Sequence, residues 1–293
     1  VAALRPRQWF KNLWVLAPVV LTGGLRDGVK TGDAVLAFFC FSAVSSAIYL
    51  LNDFLDVEGD RLHPVKRLRP LAAGEIGPAE ALLTALLLAI LGLGSAVLLI
   101  PAPTGSLSVG WVLLAYLSLQ LAYNFQLKHM IIVDVMAIAG GFVLRVLAGG
   151  VAIDAAISPY LYLSTIFLAV FQGFAKRRHE LQILAETAGD HRPSLDDYTI
   201  ELLDTFLVIS ATATVMTYCL YAVTTPYRPA YVTVNLLLLT VPFVLYAVFR
   251  YLYLVKVRGL GGAPEEILLG DRLFLLDVIA WGLTLVIILY GAS

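Results

Sequence analysis

Apolar runs of membrane-crossing length recur along this 293-residue chain, and a chain so built has little choice of fold. There are about nine, covering roughly residues 9–22, 34–53, 80–100, 108–124, 131–151, 160–176, 203–223, 231–253 and 273–291. Inside a bilayer the backbone amides and carbonyls find no water, so each run must satisfy its own hydrogen bonds as a helix. With 60% hydrophobic residues and only 14% charged, a water-soluble domain is excluded. The expected fold is all-α: an integral membrane protein of about nine transmembrane helices, residues 1–293 forming a single membrane domain. We expect no cleaved signal peptide, because Arg5, Arg7 and Lys11 precede the first run but no small-residue cleavage site follows it.

The placement of Lys and Arg sets the expected orientation. With the N-terminus in the cytoplasm of a plasma (inner) membrane, the inner segments hold Arg5, Arg7, Lys11, Arg61, Lys66, Arg67, Arg69, Lys128, Lys176, Arg177, Arg178, Arg192, Arg250, Lys256, Arg258 and Arg272. The outer loops hold only Arg26, Lys30 and Arg228, and Arg145 is left inside a span. The outer connections are short, near residues 22–33, 101–107, 152–159 and 224–230. Two inner loops are long, residues 54–79 and 177–202, and long polar loops on one side of a helical bundle are where function concentrates. Net charge is −1, so no overall field recruits nucleic acid. Cys40 and Cys219 fall inside spans as free packing residues, and the four histidines show no metal-ligand spacing.

Chemistry concentrates at the end of the second span, in Asn52-Asp53-Phe54-Leu55-Asp56-Val57-Glu58-Gly59-Asp60. On a helix, Asn52, Asp56, Asp60 and Asp53 fall at about 0°, 40°, 80° and 100°, one narrow face. Carboxylates beside a bilayer are costly without compensation. A hard divalent cation, Mg²⁺, bound through Asn52, Asp53, Asp56 and Asp60 with a diphosphate completing its shell, supplies that compensation. A plain polar helix end needs far fewer acids. The following run Arg61-Leu62-His63-Pro64-Val65-Lys66-Arg67-Leu68-Arg69 also satisfies the positive-inside rule, but beside the acids its Arg61, Lys66, Arg67 and Arg69 are phosphate-binding candidates.

Other constellations are open to two readings. Lys176, Arg177 and Glu180 share one helical face and serve either as an ion-paired helix end or as a second half-site, with Glu180 on metal or ribose and the cations on phosphate. Arg178 and His179 point off that face, towards solvent. Tyr123, Lys128 and Asp134 flank the inner turn between the fourth and fifth runs, where Lys128 is an anchor or a phosphate ligand and Asp134 needs a partner. Arg145, deep in its span, is either functional or a buried partner of an acid on the second span. In Leu4-Arg5-Pro6-Arg7-Gln8-Trp9-Phe10-Lys11-Asn12, the aromatic and basic residues suit an interfacial anchor, while Lys11 and Asn12 equally suit a phosphate head group.

These residues resemble the UbiA-type prenyltransferase superfamily, whose NDxxDxxxD motif Asn52, Asp53, Asp56 and Asp60 fill completely. The likeness covers essentially the whole chain. Within the superfamily it is nearest to the branch that modifies polyprenyl phosphates, through LRPRQWFKN (4–12), NDFLDVEGDRLHPVKRLRPLAAG (52–74), LAYNFQLKH (121–129), GFVLRVLAGGVA (141–152) and AKRRHEL (175–181). Aromatic prenyltransferases carry a second DxxxD motif where this chain has Lys176-Arg177-Arg178-His179-Glu180. They also commonly space a Tyr and a Lys four apart, whereas Tyr123 and Lys128 are five apart. The resemblance implies helices around a central cavity open laterally to lipid, Mg²⁺ on the acids, phosphoribosyl pyrophosphate as donor and a polyprenyl phosphate such as decaprenyl phosphate as acceptor. It further implies a product destined for cell-envelope arabinan, and a homo-oligomer is plausible. In this reading Asp53, Asp56, Lys66, Arg67, Lys176 and Glu180 act on the reacting groups. Lys11, Asn12, Asn52, Arg61, Arg69, Tyr123, Lys128, Asp134, Arg145 and Arg177 bind substrate. The alternative is transfer from a prenyl diphosphate to an aromatic acceptor. A transporter is disfavoured, because the charges gather at one face rather than along a path through the bilayer.

Overall fold

The computed structural model describes residues 2–62, 66–100, 107–186, 198–225, 235–262 and 264–291. The outer turns expected near 101–107 and 224–230, the middle of the 177–202 loop with Arg192, and Arg228 lie wholly or largely outside them. Every regular element among the described residues is helical. A 3-10 helix, Pro6–Val15, leads into α1 (Ala17–Leu21). Then follow α2 (Gly28–Leu55), α3 (Val57–Leu62), α4 (Pro78–Leu99), α5 (Val109–Phe125), α6 (Val133–Ala152), α7 (Pro159–Glu186), α8 (Ile200–Thr224), α9 (Val241–Lys256), α10 (Pro264–Gly270) and α11 (Arg272–Tyr290).

Six of these are long and apolar enough to cross a membrane: α2, α4, α6, α8, α11, and α9 with the 3-10 turn that starts at Leu236. Helix α5 is apolar but has 17 residues, and α7 has 28 but ends in its charged stretch. The described residues thus give six helices of that length where about nine spans are expected, and the first run departs most. Pro18 lies within it, and a ten-residue 3-10 helix that begins at Pro6 replaces most of the expected α-helix. A 3-10 helix rises about 2.0 Å per residue, so this short segment reaches further than an α-helix of equal length. It runs antiparallel to α2, with Trp9 Nε1 donating to Ser46 Oγ at 3.0 Å and Asn12 Nδ2 to Ser42 and Ser45 Oγ at 3.1 and 3.0 Å. Buried against protein, an irregular backbone is tolerable at membrane depth.

The described residues pack as two compact units. The first comprises residues 1–125 and 144–156. Its core joins the N-terminal segment (Val15, Val19), α2 (Phe41, Val44), α5 (Leu113, Tyr116) and the end of α6 (Ala148, Ala152). Gly149 is required there, because a Cβ on it would lie 1.9 Å from the Val15 carbonyl oxygen. Where α2 crosses α4, a Cβ on Gly92 would meet the Cys40 carbonyl oxygen at 2.9 Å, the close small-residue contact common between membrane helices. The second unit comprises residues 126–143 and 157–293, and buries Val135, Phe171, Phe174, Leu203, Leu207, Tyr251 and Leu254 among α6, α7, α8 and α9. Helix α6 thus supplies residues to both.

Candidate active site

Asp27 caps α2 at its start by accepting from the Val29 and Lys30 amides. At its other end the helix stops one residue before Asp56, whose φ of −98° and ψ of 7° interrupt the helical run before α3 resumes it. The interruption is slight, since the Asp56 amide still bonds the Asn52 carbonyl and the Asp60 amide the Asp56 carbonyl. Asn52, Asp53, Asp56 and Asp60 therefore remain close to the expected face, with Asp53 and Asp60 each 3% exposed and Asn52 and Asp56 half-buried.

Two of these carboxylates converge on one positive atom. Arg69 Nη1 lies 3.2 Å from Asp53 Oδ1 and 2.5 Å from Asp60 Oδ2. Arg5 donates a second guanidinium to Asp53 Oδ1 and lies over the Tyr49 ring at 5.2 Å. Arg5 was not among the residues singled out from the sequence. Burial lowers its pKa, against the opposing pull of Asp53. Arg61, Lys66 and Arg67 occupy exposed positions of α3 and the 3-10 turn Lys66–Leu68.

The donor set fits a hard divalent cation. Carboxylate oxygens already converge from two residues on a single positive nitrogen, and a third carboxylate and an amide lie on the same stretch. Among the described residues no three His, Cys, Asp or Glu side chains stand as a ready-made cage. A cation taking the Asp53 and Asp60 oxygens would displace the guanidiniums bonded to them.

Deeper in this unit, Asn12 is 1% exposed. Besides its bonds to Ser42 and Ser45, its Oδ1 accepts from Arg145 Nε at 2.8 Å. Arg145 Nη2 also donates to Tyr116 Oη at 2.9 Å, and its guanidinium lies over the rings of Tyr116 and Phe41. Asn12 and Arg145 thus tie the N-terminal segment, α2, α5 and α6 together, with Asn12 linking Arg145 to the serines of α2. Lys11 lies half-buried on the same 3-10 segment, and Tyr123 half-buried near the end of α5. Beside Tyr123, the nine-tenths-buried Asn124 keeps Nδ2 unbonded among the described residues, a donor without an acceptor.

The second unit gathers the other charged group. Arg177, 1% exposed, donates Nε to Asp134 Oδ2 at 2.6 Å and Nη1 to Glu180 Oε2. Glu180 also faces Lys176 at 3.9 Å. Asp134 follows a strained turn, for Ile132 has φ of 66°, unusual for a β-branched residue. Tyr198 holds that turn by accepting from the Ile132 amide at 2.8 Å, and lies 3.4 Å from Asp134 Oδ1. Burial pushes the Tyr198 hydroxyl up to about 12, so it stays protonated there. Nothing in the sequence points to Tyr198. Lys128 is half-buried on the 3-10 turn Leu127–His129.

Arg178 and His179 are not solvated as expected. Arg178 is 6% exposed and donates to Asp204 of α8, Gln182, and the Val255 carbonyl of α9. His179 Nδ1 donates to the Gly259 carbonyl at 2.8 Å. Gly259, at φ +67°, turns the chain after α9, and a Cβ on Gly261 would lie 2.8 Å from the Ala175 carbonyl oxygen. A helical wheel drawn for α7 alone cannot show that α8 and α9 cover its far side.

The sequence pattern of the UbiA prenyltransferase family matches residues 13–263. The chain belongs to that family. The decaprenyl-phosphate phosphoribosyltransferase of Mycobacterium tuberculosis H37Rv is 39% identical to it over 286 residues, 96% of this chain and 91% of that protein. The decaprenyl-phosphate phosphoribosyltransferase of Corynebacterium glutamicum is 36% identical over 294 residues, 99% of this chain and 86% of that protein. In fold, a UbiA homolog from Archaeoglobus fulgidus solved bound to GPP and Mg²⁺ superposes with a TM-score of 0.71 over 97% of both chains at 20% identity. This UbiA-family chain is thus an all-helical, multi-pass membrane protein, and its full-length relatives are transferases.

Proposed function

We propose that this UbiA-family protein transfers 5-phosphoribose from phosphoribosyl pyrophosphate to a polyprenyl phosphate such as decaprenyl phosphate, releasing pyrophosphate. The observation that carries it is identity of 36–39% along nearly the whole chain with relatives bearing that activity in their names. The acid-and-base site at the end of α2 supports the same reading. Asn52, Asp53, Asp56 and Asp60 would hold Mg²⁺, which supplies Lewis-acid neutralisation of the leaving diphosphate. Arg61, Lys66, Arg67 and Arg69 bind diphosphate oxygens from the adjoining turn. Lys128, Lys176 and Arg177, with Glu180 fixed by Arg177, position the ribose and its 5-phosphate. The bond from ribose C1 to the diphosphate breaks with its electron pair leaving on the diphosphate. A phosphate oxygen of the lipid then bonds C1 from the opposite face, turning the α-linkage into β. That oxygen is already anionic, so no side chain need act as general base, and rate comes from positioning and electrostatics.

The N-terminus and the site lie on the cytoplasmic side of the inner membrane, where a phosphorylated sugar donor is available, and the product serves cell-envelope arabinan. The test is incorporation of radiolabelled phosphoribosyl pyrophosphate into lipid by purified protein given decaprenyl phosphate, with and without Mg²⁺, beside Asp53→Ala. Labelled lipid that requires both Mg²⁺ and Asp53 is expected, with a loss of at least about a hundredfold in the variant, the scale of removing a transition-state electrostatic group. Folded protein that labels no lipid overturns the reading and directs attention to allylic diphosphates with aromatic acceptors.

A further inference from the structure

We propose that Arg5 is a further residue of the diphosphate site: it holds Asp53 as a counter-cation until a divalent metal takes the carboxylate, and its freed guanidinium then binds the diphosphate. This rests on the metal–diphosphate reading of the acid motif given above.

Charge balance is the first support. Asp53 and Asp60 are buried and carry two negative charges, while Arg5 and Arg69, both bonded to them, carry two positive ones. The quartet is neutral. With Asp56 counted as the third carboxylate of the motif, a divalent cation added alone leaves one excess positive charge beside carboxylates that are 4% exposed. A diphosphate arriving with the metal removes that excess and gives the displaced guanidiniums new acceptors of the geometry they favour. Metal and diphosphate should therefore bind each other's complexes more tightly than either binds alone.

The N-terminal segment supplies the second support. Arg5 has φ of 49° and ψ of 59°, a left-handed conformation an arginine holds only when its surroundings impose it. They do so on both sides. Ser46 Oγ donates to the Leu4 carbonyl at 2.9 Å, and Pro6, Trp9 and Asn12 then fix the 3-10 helix along α2. The backbone is pinned at the one place from which this side chain meets Asp53, 48 residues away in sequence. The side chain itself is 23% exposed and lies over Tyr49, so it can swing from carboxylate to ligand without unfolding anything.

The test measures Mn²⁺ binding to the purified full-length chain by electron paramagnetic resonance, with and without inorganic pyrophosphate, in wild type, Arg5→Gln and Arg5→Lys. For Arg5→Gln we expect Mn²⁺ alone to bind more tightly by about two- to fivefold, the scale of a partly exposed ion pair. The tightening that pyrophosphate gives to Mn²⁺ should shrink by a similar factor. Arg5→Lys, which keeps the charge on the same backbone, should fall between, and it carries the test if Arg5→Gln does not fold. Mn²⁺ affinity that is unchanged or weaker in Arg5→Gln, or pyrophosphate coupling equal to wild type, overturns the role of Arg5. Wild-type protein that binds no Mn²⁺ even with pyrophosphate overturns the metal–diphosphate reading, and this proposal with it.

Discussion

The buried ion pair of Arg177 and Asp134 separates support from catalysis at the scale of single residues. Neither side chain reaches solvent, so truncating one leaves the other charged and uncompensated. Arg177→Ala is expected to cost about 3–5 kcal/mol of stability, whereas the paired change Arg177→Met with Asp134→Leu should cost less than either single change. Thermal unfolding of the purified variants in detergent checks this, and a double variant no more stable than the singles would contradict it. The same variants address the site. Asp134 and Arg177 were candidate substrate ligands in the sequence, and the structure gives both a second occupation, holding Glu180 and the strained Ile132 turn. The acid motif at Asp53 was legible because carboxylates in an apolar segment have few bland explanations. Its partner Arg5 was not, because an ion pair spanning 48 residues leaves no mark on local pattern.

Helix ends show how much an element owes to a single polar residue. Asp271 caps α11 by accepting from the Phe274 amide at 2.8 Å, and takes a two-pronged bond from Arg250 of α9 at 3.2 and 2.7 Å. The Arg250 hydrogen bond holds its carboxyl below the usual aspartate value. A folded-state pKa lowered in this way adds stability that is complete above the unfolded value of about 3.9 and is lost as pH falls through the lower folded value. Asp271→Asn keeps a good cap and removes only the charge. Wild type should therefore melt higher than Asp271→Asn at pH 7, by about 1–3 °C given the solvent screening of this partly exposed pair, and the gap should close below pH 4 and in high salt. A gap that widens in acid would contradict the assignment. Elements were the most legible level of this chain, since long apolar runs force helices wherever they occur. Eight of the expected runs coincide with a helix described here, but hydropathy cannot distinguish an α-helix from the 3-10 segment Pro6–Val15, nor find the break at Asp56.

For the whole molecule, what the sequence argues most strongly is sidedness, and α2 provides the ruler with which to test it. Its 28 residues span about 42 Å at the α-helical rise, more than the roughly 30 Å of a bilayer's hydrocarbon, so its two ends must emerge on opposite faces. Arg26 is exposed just before the helix begins and Glu58 just after it ends, beside the acid motif. The excess of Lys and Arg on the Glu58 side predicts a cytoplasmic location for that end, and the phosphorylated donor proposed above requires the same. Single cysteines test this directly in a background lacking Cys40 and Cys219. A membrane-impermeant maleimide applied to intact cells should label Arg26→Cys and leave Glu58→Cys unlabelled until the membrane is broken. The reverse pattern would put the carboxylates on the outer face, where no cytoplasmic sugar donor reaches them, and would remove the proposed phosphoribosyl transfer while leaving the family and the fold intact.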